Sequence, residues 1–249
     1  MTYCCGILVE DGLVMIADTR TNAGLDNIST FRKLHIFEAP GEYVVMLATA
    51  GSLSVSQSVV SLLKDGVENK ETGEIERLAD MKSMFAAAQL VGRAARISRS
   101  LAGGGVEQDA GVNFEVTLLF GGQIGQEPPR LFMIYTPGNF IECTADAPFF
   151  QIGEHKYGKP ILDRAVSYET DLYDALKIGL ISMDSTIRSN LSVGLPIDLA
   201  VLRRGALKIE TSTRITVDDP YFRALRDSWS KALRAAHMAI PKPPYGGDH

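Results

Sequence analysis

Alternating blocks of apolar and polar positions divide the chain into groups of strands and groups of helices. Two apolar, β-prone runs separated by Asp11-Gly12 open the sequence, and an Asp-Gly pair between such runs is a strong signal for a tight hairpin. The predicted strands are Thr2–Glu10, Leu13–Ala17, Lys33–Phe37, Tyr43–Thr49, Phe114–Phe120, Arg130–Tyr135, Phe140–Cys143, Ile197–Leu202 and Leu207–Glu210.

Apolar residues that recur on one helical face predict the helices between these strands. The predicted helices are Ser52–Lys64, Ile75–Leu101, Gly158–Ala165, Asp171–Asn190 and Pro220–Met238. Residues 19–30 and the Gly-rich segment Ala102–Gly111 are predicted as irregular connections, and Gly121-Gly122 and Pro128-Pro129 as turns. Runs of strands followed by runs of helices favour an α+β fold, in which two stacked antiparallel sheets are covered by outer helix layers.

Size and composition fit one large domain. The chain has 249 residues, of which 45% are hydrophobic, and this is long enough to bury a substantial core. No repeat or long linker divides it, so we expect a single domain over residues 1–240 and a flexible tail over residues 241–249, where Pro and Gly disfavour regular structure.

Charge and hydropathy limit the expected partners. The net charge is −5, and no basic run with interleaved aromatics suggests a nucleic-acid surface. No apolar run approaches the roughly 20 residues that a membrane span needs, and the N-terminus lacks the basic region of a secretory signal. Three cysteines without metal-ligand spacing fit a reducing compartment, so we expect a cytoplasmic protein that binds neither nucleic acid nor membrane.

Thr2 is the first candidate for chemistry. Aminopeptidases usually remove an initiator Met that precedes a small side chain, and Met1 precedes Thr2. The exposed α-amine would titrate near pH 8 without perturbation, so it could act as a base for the hydroxyl of the same residue. A Thr after Met is common, however, and by itself indicates little.

Three further residues strengthen that hypothesis. Asp18 ends the second predicted strand, where it could hold an ammonium group or simply form a turn. Lys33 begins the third strand, where its charge could favour the Thr2 alkoxide or lie solvated on a sheet edge. Gly51 precedes the first helix, where its N–H could stabilise an oxyanion or only complete a strand-to-helix turn.

These residues and their surroundings resemble a known family. The pattern Thr2 … Gly6-Ile7 … Asp11-Gly-Leu-Val-Met-Ile-Ala-Asp-Thr-Arg20 … Lys33 … Thr49-Ala-Gly-Ser52 is similar to the start of proteasome β-subunits. Residues 21–33 and 188–198 are similar to the bacterial ancestral β-subunit group, called Anbu.

The resemblance implies a four-layer αββα fold and a set of catalytic roles. Thr2 would be the nucleophile, Asp18 and Lys33 its activating partners, Gly51 the donor to the oxyanion, and Arg20 a support for Asp18. The implied activity is a threonine-type peptidase that cleaves peptides or unfolded segments inside a homo-oligomeric ring or helical assembly. No cofactor or metal is implied.

Two departures from the family pattern affect the site. Gln151-Ile-Gly-Glu-His155 stands where the family has Gly-Ser-Gly, so a larger carboxylate, Glu154, is expected beside the nucleophile. The late Asp-x-x-Ser of the family corresponds to Ser189-Asn-Leu-Ser192, so Ser192 carries over while Asp184 lies out of register.

Other functions stay open at this stage. A structural ring subunit with a vestigial site, or an amidase for small molecules on the same fold, would also fit the sequence. A cysteine nucleophile at Cys4 or Cys5 would need cleavage beyond Met removal, and alternate strand positions make both residues more plausible core members. His35 and His155 lack a third metal ligand at suitable spacing.

Overall fold

The computed structural model describes residues 1–22, 28–70, 72–103 and 114–245. Its strands are β1 (Tyr3–Val9), β2 (Gly12–Asp18), β3 (Arg20–Asn22), β4 (Ile28–Thr30), β5 (Leu34–Ala39), β6 (Tyr43–Gly51), β7 (Val67–Glu68), β8 (Ile75–Glu76), β9 (Val116–Ile124), β10 (Arg130–Tyr135), β11 (Phe140–Glu142), β12 (Phe149–Gly153), β13 (Ile197–Arg203) and β14 (Thr211–Ile215). Its α-helices are α1 (Leu53–Asp65), α2 (Met84–Gly103), α3 (Lys159–Ala165), α4 (Leu172–Ser189) and α5 (Pro220–Ala239).

Two five-stranded sheets form the centre of the molecule. The first has the strand order β12-β1-β2-β13-β14, and the second has the order β11-β10-β9-β6-β5. Neighbouring strands are antiparallel in both sheets. The predicted hairpin at Asp11-Gly12 joins β1 to β2. The first strand of the chain is therefore an inner strand of the first sheet and not an edge strand.

Three apolar clusters hold the layers together. The cluster between the sheets includes Cys4, Met15 and Leu119. A second cluster joins α1 and α2 to the second sheet, and a third joins α3, α4 and α5 to the first sheet. The α+β fold with four αββα layers is therefore confirmed, and each sheet buries both of its faces, as their largely uninterrupted apolar strands require.

Three predicted elements are wrong. The glycines predicted as a turn, Gly121-Gly122, lie inside β9, where a Cβ on Gly122 would be 2.1 Å from the carbonyl oxygen of Val44. The last strand is β14 rather than Leu207–Glu210, because Leu207 has a φ of 46° that no strand contains.

The long helix predicted from Ile75 begins only at Met84. The Ser83 hydroxyl accepts a hydrogen bond from the N–H of Ala86 at 3.1 Å and so marks the helix start. The preceding residues form β8 and a short 3₁₀ helix at Leu78–Asp80, where local hydrogen bonding replaces the α-helical pattern.

Parts of some predicted segments lie outside the described residues. These are residues 23–27 of the first loop, residues 104–111 of the Gly-rich segment and residues 246–249 of the tail. None of the helices in the described ranges combines the length and the apolar character that crossing a membrane requires.

Candidate active site

Asp18 ends β2 as a fully buried carboxylate. Its Oδ1 accepts hydrogen bonds from the backbone N–H of Tyr3 at 3.0 Å and from Nζ of Lys33 at 2.8 Å, and its Oδ2 accepts from the N–H of Arg20 at 3.2 Å. Burial raises the pKa of Asp18, while the charge of Lys33 and the hydrogen bonds from Lys33, Tyr3 and the backbone of Gly194 act in the opposite direction. Asp18 is thus an anchor for an ammonium group, and not only a turn residue.

Lys33 lies directly before β5 and is only 4% exposed, so the solvated edge position is excluded. Its Nζ donates to Asp18 and, at 2.5 Å, to the carbonyl oxygen of Arg20. An ammonium group has three N–H donors, and the third has no protein partner within the described part of the chain. Lys33 lines a cavity of about 350 Å³, and its free donor can therefore serve a group inside that cavity.

Thr2 lines the same cavity immediately before β1. Its carbonyl oxygen accepts a hydrogen bond from the N–H of Glu154 at 2.7 Å, and the next residue, Tyr3, donates to Asp18. Met1 also lines the cavity and is 65% exposed. The hydrogen bonds that Tyr3 and Lys33 both donate to Asp18 therefore bring Thr2 and Lys33 to one cavity although they lie far apart in sequence.

Gly51 closes the cavity at the end of β6. Its φ is 109°, and a Cβ at this position would lie 2.3 Å from the carbonyl oxygen of Glu115, so a side chain is excluded. Thr49 donates its N–H to the carbonyl oxygen of Lys33 at 3.0 Å. Because N–H groups two residues apart on a strand point to the same side, Gly51 directs its N–H to the side of Lys33, beside the start of α1.

Arg20 contributes to the site through its backbone. Its N–H and carbonyl oxygen bind Asp18 and Lys33 as described above, whereas its side chain donates from Nη1 to the carbonyl oxygen of Leu191 at 2.8 Å. A Cβ on Gly194 would lie 2.5 Å from the guanidinium carbon of Arg20. The guanidinium group thus fastens the loop after α4 to the Asp18 end of the cavity.

Glu154, expected beside the nucleophile, lines the cavity and is only 7% exposed. Its Oε2 accepts from the side-chain amide of Asn190 at 3.0 Å, and Oε1 lies 3.7 Å from Nζ of Lys156. Asn190 was missed by the sequence reasoning, although it lies inside the stretch that carries the family resemblance. Glu154 places a carboxylate where it can influence an amine on Thr2.

Ser192 and Asp184 lie outside the cavity lining. The N–H of Ser192 donates to the side-chain oxygen of Asn190 at 2.9 Å. Asn190 in turn binds Glu154, which lines the cavity, so the link between Ser192 and the cavity is indirect. Asp184 is fully buried and binds Nε of Arg188 at 3.0 Å and Nε of Arg226 at 2.5 Å. Both carboxylate oxygens of Asp184 therefore bind arginines, one on α4 and one on α5, and the carboxylate links the two helices.

The cysteines near the chain start are core residues. Cys4 packs between the sheets and Cys5 packs beneath the helices, as alternate strand positions require. Burial raises the pKa of the Cys5 thiol to about 12 and raises the pKa of the Cys4 thiol as well. Neither thiol is readily ionised, which disfavours a cysteine nucleophile.

Comparisons with known proteins identify the family and the fold of the whole chain. A family model described as Proteasome subunit matches residues 2–202. The solved structure of Anbu (ancestral beta-subunit) from Yersinia bercovieri is 45% identical and covers 98% of this chain and 100% of that chain, with a TM-score of 0.89. Anbu from Hyphomicrobium sp. strain MC1 is 47% identical over 97% of this chain and 99% of that chain, with a TM-score of 0.87.

A further similar structure is described as a helical assembly of the Anbu complex from Pseudomonas aeruginosa. It is 44% identical and covers 98% of this chain and 98% of that chain, with a TM-score of 0.89. None of the curated proteins compared with the chain matches it.

Proposed function

This chain belongs to the proteasome-subunit family, and from that premise we propose that it is a threonine-type hydrolase that cleaves amide bonds in peptides or unfolded segments. One observation carries the proposal. Lys33, whose Nζ lies 2.8 Å from Oδ1 of the buried Asp18, lines the same cavity as Thr2. A buried ion pair with a spare ammonium donor beside a hydroxyl is the arrangement that an alkoxide nucleophile needs.

In the proposed reaction, removal of Met1 leaves Thr2 with a free α-amine. Oγ1 of Thr2 attacks the substrate carbonyl carbon while its proton passes to the α-amine, and Lys33 stabilises the developing alkoxide. The N–H of Gly51 stabilises the negative charge on the carbonyl oxygen. The C–N bond then breaks as the amine gives its proton to the leaving nitrogen, and water hydrolyses the acyl ester to restore Thr2.

Self-assembly belongs to the same proposal, since a similar structure is described as a helical assembly. Helix α5 carries an apolar stripe that begins with the buried Phe222 and Leu225 and continues through the half-buried Trp229 to the exposed Leu233. An apolar stripe that leaves the body of one subunit offers a contact for another copy of the chain. We place this assembly in the cytoplasm, where the three free cysteines would stay reduced.

The test combines intact mass measurement with active-site labelling. Protein lacking Met1 should react with an epoxyketone, an electrophile that requires both a hydroxyl and a free α-amine on one residue, and the adduct should map to Thr2. Thr2→Ala should abolish labelling. Thr21→Ala is the matched control, because Thr21 lines the same cavity but has no free amine.

Labelling that persists in Thr2→Ala would exclude Thr2 as the nucleophile. Retention of Met1 in the mature protein would favour the structural ring subunit, since Met1 would then occupy the cavity entrance permanently. Hydrolysis of acyl amino acid amides without hydrolysis of peptides would favour the small-molecule amidase.

A further inference from the structure

A second, larger groove adjoins the candidate active site. Its volume is about 650 Å³, within the roughly 300–1,000 Å³ of sites that enclose small ligands. Gly153 lines both the groove and the cavity that holds Thr2. The two spaces therefore meet at Gly153, so a chain bound at Thr2 can continue into the groove.

One wall of the groove is the edge strand β12. This strand ends the first sheet, and among the described strands it pairs with β1 alone. Two hydrogen bonds at its ends show which of its backbone groups pair with β1. The N–H of Glu154 donates to the carbonyl oxygen of Thr2 at 2.7 Å, and the N–H of Leu8 donates to the carbonyl oxygen of Pro148 at 2.8 Å. Since hydrogen-bonded and non-hydrogen-bonded pairs alternate along an antiparallel ladder, Phe149 and Gln151 direct their N–H and C=O groups away from β1.

These outward backbone groups form an open template. Within the described ranges, the N–H and C=O groups of Phe149 and Gln151 have no hydrogen-bond partner in the protein. The five residues of β12 extend over about 17 Å. An extended peptide of four or five residues could add to this edge as a new strand.

The floor of the groove suits alternate side chains of such a peptide. It contains Met133, Phe150 and Ile152, which are apolar, while the rim carries the exposed ion pair of Lys159 and Asp163 at 2.6 Å. An apolar floor beneath a line of free backbone groups is the usual composition of a strand-addition site.

From this continuity we infer that the groove binds the part of a peptide substrate that follows the scissile bond, in extended form along β12. The inference rests on the proposed function. With the substrate carbonyl at the Gly51 N–H, the space beside Lys33 and Thr49 takes the acyl side, and the leaving side passes over Gly153 into the groove.

The variant Gln151→Pro tests the template directly, because proline removes the outward N–H without removing a hydrogen bond to β1. Its matched control is Gln151→Ala, which keeps the N–H and loses the same side-chain hydrogen bond to the hydroxyl of Tyr3. A second variant, Ala147→Trp, fills the groove from an exposed position and does not depend on the folding of β12.

Two substrates separate the groove from the catalytic site. The short substrate is a tripeptidyl aminomethylcoumarin amide, and the extended one is an internally quenched heptapeptide with the same three residues before the scissile bond and four after it. The ratio of kcat/KM for extended over short substrate should fall about three- to tenfold in Gln151→Pro, the loss of one hydrogen bond, and at least as much in Ala147→Trp. Gln151→Ala should keep the ratio.

An equal ratio in all variants would overturn the groove assignment while the proposed function survives. If neither substrate is cleaved, the proposed function fails. Binding of the heptapeptide then tests whether the groove holds an extended peptide. The fluorescein-labelled heptapeptide should bind Thr2→Ala, and adding Gln151→Pro, but not Gln151→Ala, should raise its Kd about three- to tenfold. Identical Kd values would overturn the inference.

Discussion

The two walls of the candidate active site are built differently. On the Asp18 wall, formed by Asp18, Lys33 and the backbone of Arg20, one carboxylate receives three hydrogen bonds and both charges are buried. On the Glu154 wall, formed by Glu154 and Asn190, the carboxylate receives one amide hydrogen bond, and its Lys156 neighbour is 73% exposed at the side chain.

The difference shows where the site can vary. Changing one partner on the Asp18 wall leaves an uncompensated buried charge, so the wall behaves as a unit. On the Glu154 wall, the backbone N–H of Glu154 supports Thr2, whereas the side chain is free to differ. The departure from the proteasome pattern occurs on this second wall, where Thr2 is held by the backbone N–H of residue 154 rather than by its side chain.

The largest expected effect comes from Lys33→Met, which breaks the Asp18 wall. Removing one partner of a buried ion pair should lower the free energy of unfolding by about 3–5 kcal/mol, measured by urea denaturation. Lys156→Met, on the opposite wall, is the control and should change it by less than about 0.5 kcal/mol because that lysine is exposed. Equal losses in the two variants would remove the distinction between the walls.

The same variant should also change the pH dependence of stability. Burial already raises the pKa of Asp18, and without Lys33 the pKa should rise further. A carboxyl whose folded pKa exceeds its unfolded pKa stabilises the fold below the unfolded pKa and loses that contribution as pH rises through the folded pKa. Lys33→Met should therefore lose stability more steeply than the wild type as pH increases from acid to neutral.

A smaller loss is expected from Gly153→Ala, which tests the backbone of the Glu154 wall. A Cβ there would lie 1.9 Å from the carbonyl oxygen of Thr2, and the φ of Gly153 is 82°. Gly205→Ala is a matched control, since Gly205 has a φ of 76° and no atom within 4 Å of a Cβ. The overpacking at Gly153 should cost about 1–3 kcal/mol more than the control substitution.

Thermal or urea denaturation measures that difference, and epoxyketone labelling measures whether Thr2 has moved. Similar stability in the two alanine variants would mean that the backbone at Gly153 shifts to make room for a methyl group at little cost.

The smallest effect on stability is expected from Glu154→Gln, below about 1 kcal/mol. In protein lacking Met1, removing a negative charge that lines the same cavity should disfavour the protonated amine of Thr2, so the acid limb of the labelling profile should move to lower pH. Asp174→Asn, an exposed carboxylate on α4 paired with Lys177, controls for net charge and should leave the profile in place. An unchanged profile in Glu154→Gln would exclude an influence of Glu154 on the amine.

Local patterns predicted most of the fold. The Asp11-Gly12 turn and the apolar runs beside it gave β1 and β2, and periodicity gave α1, α4 and α5 nearly to the residue. The wrong turn at Gly121-Gly122 depends on non-local contacts. A side chain on Gly122 would meet the backbone of Val44 on the neighbouring strand, and one on Gly121 would meet Leu13 and Leu131, and local propensity cannot reveal either contact.

The candidate site was predictable only in part for the same reason. Thr2, Asp18, Lys33 and Gly51 were identified by their spacing and family resemblance, but their burial and hydrogen bonds depend on sheet register. The role of Asn190 depends on the loop after α4 meeting β12, and no local signal in the sequence marks that meeting.

The two backbone groups that hold Thr2 in place, its carbonyl oxygen and the N–H of Tyr3, both lie on the C-terminal side of its α-carbon. Cutting the Met1–Thr2 bond touches neither of them. The described fold therefore already holds Thr2 where the proposed maturation needs it, and removal of Met1 would break one peptide bond without changing either of these contacts.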